Sequence, residues 1–117
     1  MNDPNCLFCK MIRGEIPVKK AYEDEQALVF HDISPKAPVH LLAVPKQHFA
    51  GVHDVPAANA ALFAGLFSAV GAVVRREKLD ETGGYRLVVN SGENAGQAVA
   101  HIHVHILSGR TMAWPPG

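Results

Sequence analysis

The residues best suited to chemistry are three histidines, His101, His103 and His105, which alternate with aliphatic residues near the end of the chain. Because successive side chains of a β-strand point to opposite faces, this spacing predicts that the three imidazoles share one face and that Ile102 and Val104 share the other. The spacing leaves two chemistries open. The rings could ligate a transition metal, or one ring could be a nucleophile whose tautomer and protonation its neighbours control.

A second chemical motif lies near the N-terminus, where Cys6 and Cys9 form a Cys-x-x-Cys pair. Such a pair can be a redox dithiol or half of a zinc site. Only five residues precede Cys6, which leaves no room for the strand that precedes a thioredoxin-like dithiol. A zinc site needs two further nitrogen or sulfur ligands, and in a chain with two cysteines only histidines can supply them. The alternative is a pair of unrelated core cysteines.

The composition describes a single domain with a substantial core. The chain has 117 residues, of which 48% are hydrophobic, and we predict one domain over 1–117 with a short N-terminal segment over 1–14 and a C-terminal tail over 109–117. Lys plus Arg and Asp plus Glu number 11 each, so we expect neither a nucleic-acid partner nor a membrane-surface one. No signal peptide is apparent and two cysteines are too few for a disulfide scaffold, so we expect a cytoplasmic protein.

The elements that must position these side chains indicate an α+β fold with a largely antiparallel sheet. A short helix is predicted over 6–14, and a long helix begins at 54–56 and ends before 83–84. Within the long helix, 55–74 carries no charge and is long enough to span a bilayer. Its bulky residues recur every three to four positions, which indicates an amphipathic helix buried on the sheet. Five strands are predicted, over 18–22, 27–31, 39–44, 85–90 and 101–107.

Several blocks of this sequence resemble the HIT (histidine triad) superfamily of nucleotide hydrolases and transferases, and they occur in that family's order. The segment 101–107 resembles the triad signature itself, and His105 stands where the galactose-1-phosphate uridylyltransferase branch has glutamine. The tail 109–117 is similar to that of the Hint branch, the nucleoside phosphoramidases, and the Cys-x-x-Cys pair is similar to that of zinc-containing bacterial members. The other matching blocks are 15–17, 30–35, 37–40, 44–48 and 88–90.

The resemblance implies a fold and a reaction. It implies the HIT fold, a five-stranded mainly antiparallel sheet with one long and one short helix, paired into a ten-stranded sheet in a homodimer. It also implies cleavage of purine nucleoside 5′-phosphoramidates (AMP-amine or aminoacyl-AMP compounds) at the α-phosphorus through a nucleotidyl-histidine, releasing a nucleoside monophosphate. A dinucleoside polyphosphate hydrolase and a nucleotide-binding adaptor with incidental hydrolysis are the alternatives. Without the resemblance, a metalloenzyme with three histidine ligands would rank first.

The same resemblance assigns residues to roles. It makes His103 the nucleophile, gives His105 the phosphate oxygens or the leaving group, and makes His40 the support of the nucleophile. It also implies a structural zinc held by Cys6, Cys9, His48 and His101. The remaining nucleotide-binding residues are a base slot of Phe8, Ile16, Ile33 and Leu42, a ribose site at His31 and Asp32, a phosphate segment that includes Asn90, Gly96, Gln97 and Ala98, and Trp114 from the partner's tail.

Three positions depart from the pattern of the Hint branch. Ala98 stands where that branch often has a serine that hydrogen-bonds the scissile group, and Ala100 and Ala113 replace residues that are commonly larger and polar or aromatic. The missing hydroxyl removes one hydrogen-bond donor, an effect of about 1–2 kcal/mol. We therefore expect altered efficiency or leaving-group preference with an unchanged nucleophile.

Overall fold

The computed structural model describes residues 3–117, and the first two residues of the predicted segment 1–14 lie outside the described residues. The described chain has two α-helices, five strands and two 3-10 turns. In chain order they are α1 (Leu7–Ile12), β1 (Lys20–Glu23), β2 (Ala27–His31), β3 (Val39–Pro45), 3-10 turns at Val52–Asp54 and Ala57–Asn59, α2 (Ala61–Arg76), β4 (Tyr85–Val88) and β5 (Val104–Ser108).

The five strands form one antiparallel sheet in the order β1-β2-β3-β5-β4. The predicted α+β class and the five-stranded sheet with one long and one short helix are confirmed. In the register of the two central strands, Leu42 lies opposite His105 and His40 lies opposite Leu107. Because the residues of such pairs share a face, His40, Leu42 and His105 project from the same side of the sheet.

Each face of the sheet has its own apolar cluster. One face packs against α2 and contains Val29, Leu41, Val104 and Ile106. The other face packs against α1, and its buried members are Cys6, Phe8, Cys9, Leu28, Phe30, Leu42 and Val44. The predicted alternation around the histidines therefore has a physical basis, since the aliphatic residues between them belong to the α2 face and leave the α1 face to the imidazoles.

The long helix buries its apolar face against the sheet of its own chain. The segment Ala57–Arg76 is long and apolar enough to cross a membrane by length and composition, with a mean hydropathy of 1.8. Its residues Leu66, Val70 and Val73 are buried in the cluster on the sheet, while Phe67 on another side of the helix remains exposed. This confirms the prediction of an amphipathic helix buried on the sheet.

Several element boundaries differ from those predicted. The helix α2 begins at Ala61 rather than at 54–56, because Ala57–Asn59 first forms a 3-10 turn with Pro56 at its N-cap. The strand β1 begins at Lys20 rather than at 18, and β4 ends at Val88 rather than at 90. The strand β5 begins only at Val104, because the backbone N–H of Ile102 donates to the carbonyl of Phe49 instead of to a neighbouring strand.

Candidate active site and metal centre

Four predicted metal ligands converge at one point beside α1. Cys6, Cys9, His48 and His101 each direct one ligand atom to a site where all four atoms lie within 4.8 Å of one another. The Nδ1 atoms of His48 and His101 are 3.0 Å apart, and the Sγ atoms of Cys6 and Cys9 lie 3.4 and 3.6 Å from the Nδ1 of His101. In a tetrahedral zinc site, nitrogen pairs lie about 3.4 Å apart and nitrogen–sulfur pairs about 3.6 Å. The spacing and the donor set therefore fit zinc.

Hydrogen bonds around these ligands orient them for a metal. The Nε2–H of His101 donates to the carbonyl of Pro45 at 2.8 Å, which leaves the Nδ1 lone pair facing the two sulfurs. The Sγ of Cys6 caps α1 by accepting from the backbone N–H of Cys9 at 3.4 Å. The N–H of Asp3 donates to the Sγ of Cys9 at 3.4 Å. These contacts stabilise thiolates and fix the tautomer of His101, as a closed structural site requires.

Burial sets the protonation of this site before any metal enters. It lowers the pKa of His101 to about 4, so the ring is a neutral ligand at pH 7. Burial also raises the pKa of the Cys6 thiol above its ordinary value. Metal binding must therefore displace a proton from sulfur.

His103 is held in a single tautomer by the backbone of the metal ligand two residues before it. Its Nδ1–H donates to the carbonyl of His101 at 2.7 Å, so the lone pair of the neutral ring is on Nε2. The ring of Phe8 packs edge-on against the ring of His103, with centroids 5.1 Å apart. The ring centroid of His105 lies 5.0 Å from that of His103. With Nδ1 engaged as a donor, Nε2 is the ring nitrogen left to act as a nucleophile.

A cluster of three polar side chains, His40, His105 and Asp32, lies next to His103. The Nε2 of His40 is 2.9 Å from the Nδ1 of His105 and 3.4 Å from the carboxylate of Asp32. The backbone N–H of Lys36 donates to the Nδ1 of His40 at 3.0 Å. Burial is the largest influence on both rings: it lowers the pKa of His40, and it lowers that of His105 to about 4. Both rings are therefore neutral at pH 7 and act through their hydrogen bonds.

The ligand atoms of the three triad histidines do not converge on one point. Among the described residues, His101 groups with the cysteines and His48, whereas His105 groups with Asp32 and His40, and His103 belongs to neither group. The resemblance had divided the triad in this way, with His101 on the metal and His103 on the chemistry. The arrangement gives no support to a tri-histidine metalloenzyme.

The residues of the predicted base slot and ribose site differ in burial. Phe8 and Leu42 are buried in the cluster on the α1 face, and Ile16 is half-buried. Ile33, by contrast, is 99% exposed, so the slot is open on that side in a single chain. Asp32 is half-buried beside His40, while His31 at the end of β2 is exposed.

The predicted phosphate segment is a loop held together by Gln97. Its side-chain nitrogen donates to the carbonyl of Ala50 at 2.7 Å, and its side-chain oxygen accepts from the N–H of Gly92 at 2.8 Å. Gly96 has a φ of +91°, which the turn requires of glycine. Asn90 is half-buried and Ala98 is exposed. Gln97 therefore shapes the loop through a side chain that is already fully engaged.

Two backbone groups of the site could not have been found in the sequence. The carbonyl of Pro45 and the N–H of Lys36 orient His101 and His40 respectively. Every residue carries such groups apart from the missing N–H of proline, so no residue type marks them. The only sequence signal nearby is the run of prolines that shapes the two loops.

Known proteins of similar sequence and structure carry names that agree with this geometry. A model of the HIT domain matches residues 13–112. The chain is 40% identical over 119 residues to a 14 kDa zinc-binding protein of Zea mays, an alignment that covers 100% of this chain and 91% of that protein. A crystal structure of a HIT family hydrolase from Legionella pneumophila is 48% identical with a TM-score of 0.91 and is matched over 97% of this chain and 100% of that one. A histidine triad nucleotide-binding protein from Candida albicans is 34% identical with a TM-score of 0.82, over 95% of this chain and 83% of that one.

Proposed function

The chain belongs to the HIT domain family, and from that premise we propose that it is a nucleotide-binding hydrolase that cleaves purine nucleoside 5′-phosphoramidates at the α-phosphorus. The observation that carries the proposal is the hydrogen bond from the Nδ1–H of His103 to the carbonyl of His101. That bond engages Nδ1 and leaves Nε2 as the nitrogen that can attack phosphorus, beside a second imidazole, His105, that can serve the phosphoryl group.

The reaction then has two in-line steps. In the first, Nε2 of His103 forms a bond to phosphorus while the bond from phosphorus to the amine breaks, and the amine leaves with a proton from water. In the second, water attacks phosphorus and releases a proton to solvent, which restores the proton taken in the first step, while the bond to His103 breaks and its electron pair returns to Nε2 as the nucleoside monophosphate departs. His105 binds the phosphate oxygens or the leaving group during both steps, so its donor stabilises charge that develops in transfer.

Nucleotide binding would rest on the side chains around these histidines. Phe8 and Leu42 are buried, so the half-buried Ile16 and the exposed Ile33 would present the apolar surface for a purine, and Asp32 would supply a carboxylate for the ribose hydroxyls. The loop that contains Asn90 and Gln97 lies at the phosphate end. Because this binding surface is separate from Nε2 of His103, a nucleophile variant should still bind nucleotide.

Zinc in this protein would be structural. With Cys6, Cys9, His48 and His101 as ligands, the tetrahedral shell is complete and leaves no position for substrate or a reactive water. The metal would join α1 to the residues that follow β3 and precede β5, and it would contribute free energy of folding.

A homodimer is part of the proposal. Strand β4 lies at the edge of the sheet and presents exposed Tyr85 and Leu87, and the exposed Val89 follows its end, an arrangement that invites pairing with a second sheet. Two such edges would give the ten-stranded sheet that the family resemblance implies. Trp114 is 82% exposed and lies over the guanidinium of Arg86 on β4, with 5.9 Å between Cζ and the ring centroid. A tail so placed would reach the partner, and light scattering should give twice the 12.6 kDa of one chain.

Steady-state kinetics test the proposed reaction. Adenosine 5′-phosphoramidate and a dinucleoside polyphosphate should be compared as substrates, with the His103→Ala variant as the control. A higher kcat/KM for the phosphoramidate supports the proposal, and the reverse order would make the chain a dinucleoside polyphosphate hydrolase. Tight AMP binding without turnover of either substrate would support an adaptor.

A further inference from the structure

The C-terminal tail is tied to the loop between β2 and β3 by Arg110. Its Nε and Nη2 donate to the carbonyl of Lys36 at 3.2 and 3.0 Å, and its Nη1 donates to the carbonyl of Thr111 at 3.2 Å. The preceding Gly109 has a φ of +95°, and a Cβ added there would lie 2.8 Å from the Cβ of Pro38. The tail therefore leaves β5 in close contact with this loop, and the guanidinium fixes the carbonyl of Lys36, on the peptide that joins it to Ala37.

The other peptide of Lys36, the one that joins it to Pro35, controls the tautomer of His40. Its N–H donates to the Nδ1 of His40 at 3.0 Å, and a backbone N–H can only donate. The Nδ1 of His40 is therefore the acceptor, and the single proton of the neutral ring lies on Nε2. The ring is 6% exposed, so water has little access to replace this bond if the loop shifts.

The tautomer of His40 in turn fixes that of His105. The Nε2 of His40 lies 2.9 Å from the Nδ1 of His105, and the carboxylate of Asp32, also an acceptor, lies 3.4 Å from the same Nε2. Because Nε2 of His40 carries a hydrogen, it donates the hydrogen bond and Nδ1 of His105 accepts it. The single proton of the neutral His105 ring therefore lies on its own Nε2. If His40 took the opposite tautomer, His105 would donate from Nδ1 and present a lone pair from Nε2.

We propose that Arg110 is a positioning residue for the reaction: by holding the carbonyl of Lys36 it keeps the N–H of that residue on His40, and His40 keeps His105 in the tautomer with its proton on Nε2. This inference rests on the proposed hydrolase function, because its consequence is that His105 offers a hydrogen-bond donor to the transferring phosphoryl group. The opposite tautomer would direct a lone pair at anionic oxygens, which is repulsive. Arg110 itself need not touch the substrate.

The test compares Arg110→Ala with Arg110→Lys, which keeps one donor, and with Arg75→Ala, which removes an exposed arginine on α2. The ¹⁵N shifts of the histidine rings in the zinc-loaded protein report which nitrogen carries each proton. Wild type and Arg75→Ala should show His105 protonated on Nε2, and Arg110→Ala should populate the Nδ1–H form. A catalytic imidazole in the wrong tautomer can lower kcat by up to about 10⁴. A partial loss of the Nε2–H tautomer of His105 should therefore lower kcat by roughly tenfold, with KM changed less than about twofold. Arg110→Lys should recover part of both signals.

Three results would overturn the inference. They are a wild-type His105 protonated on Nδ1, an Arg110→Ala variant with unchanged tautomers, and a changed tautomer with unchanged kcat. The protonation of His105 in the wild-type protein is measured without any variant. If Arg110→Ala fails to fold, a wild-type His105 protonated on Nδ1 would therefore still overturn the inference. If the chain hydrolyses none of the nucleotides, the proposed function fails, whereas the tautomers and their response to Arg110→Ala still decide the arrangement of His40 and His105.

Discussion

The Nδ1 atom of His103 lies 2.7 Å from the carbonyl oxygen of His101, so the backbone of a metal ligand holds the ring that is proposed to attack phosphorus. His101 uses its own Nδ1 toward Cys6 and Cys9 and its Nε2–H toward the carbonyl of Pro45. Metal site and reaction site therefore share a backbone while using different side chains. The predictions below separate the two.

Replacing Cys6 with serine should remove metal and stability before it removes catalysis. The variant loses one of four ligands, while the serine hydroxyl can still cap α1, and we expect a loss of about 3–5 kcal/mol in the free energy of unfolding from the lost metal. Zinc content and Tm should fall, while kcat of the folded fraction should change by less than about tenfold. Leu7→Ser, at an exposed position of the same helix, is the matched control and should keep one zinc per chain. A metal stoichiometry near zero in wild type purified without chelator would contradict the site.

Acid should destabilise the protein through its buried imidazoles. The pKa of His105 is lowered from 6.5 to about 4 in the folded protein, chiefly by burial, and that of His40 is lowered too. Between these values the unfolded chain binds more protons than the folded one, so the free energy of unfolding should fall as pH drops from 6.5 toward 4. Urea unfolding across this range should give a shallower pH dependence for His105→Gln than for wild type. An equal pH dependence of the free energy of unfolding in both proteins would contradict the lowered pKa of His105.

Restoring a hydroxyl at position 98 should raise activity. Ala98 is exposed, so Ala98→Ser adds a donor without a steric conflict, and about 1–2 kcal/mol corresponds to a rise of roughly 5- to 30-fold in kcat/KM for a phosphoramidate. Ala100→Ser, two residues along and also exposed, adds the same group and should change kcat/KM by less than about twofold. Equal effects of the two substitutions would count against a donor specific to position 98.

Deleting residues 112–117 should change leaving-group preference without unfolding the protein. These residues follow the last strand and include the exposed Trp114, so their removal takes little from the core. The relative kcat/KM values across a series of AMP-amine substrates should change order while light scattering still reports a dimer. An unchanged ranking would contradict a tail that shapes the partner's site.

Side-chain patterns predicted the parts of this molecule that depend on residue type. The alternation of His101, His103 and His105 with aliphatic residues predicted a common face, and the common face persists although β5 includes only His105. The metal cluster followed from the family resemblance rather than from the spacing of Cys6 and Cys9. Boundaries were less accurate, because the hydrogen bonds that end an element are local: α2 begins at Ala61, after two 3-10 turns that keep the same apolar periodicity from forming a helix earlier.

The tautomers of the site depend on backbone groups and were beyond any sequence pattern. The N–H of Lys36 and the carbonyl of His101 decide which nitrogens of His40 and His103 carry protons. Their positions follow from loop geometry and from the contact of the tail with that loop. The family resemblance already named His103 as the nucleophile, and the structure was necessary to assign which ring nitrogens are donors and which are acceptors.

The most direct test of the central claim is mass spectrometry of the reaction quenched in alkali during turnover of adenosine 5′-phosphoramidate. We expect an adduct of one AMP on the peptide that contains 101–107, assigned by fragmentation to His103. His103→Ala should form no adduct and show no turnover, while isothermal titration calorimetry still detects AMP binding. An adduct on another residue, or near-normal turnover by His103→Ala, would contradict the assignment of His103 as the nucleophile.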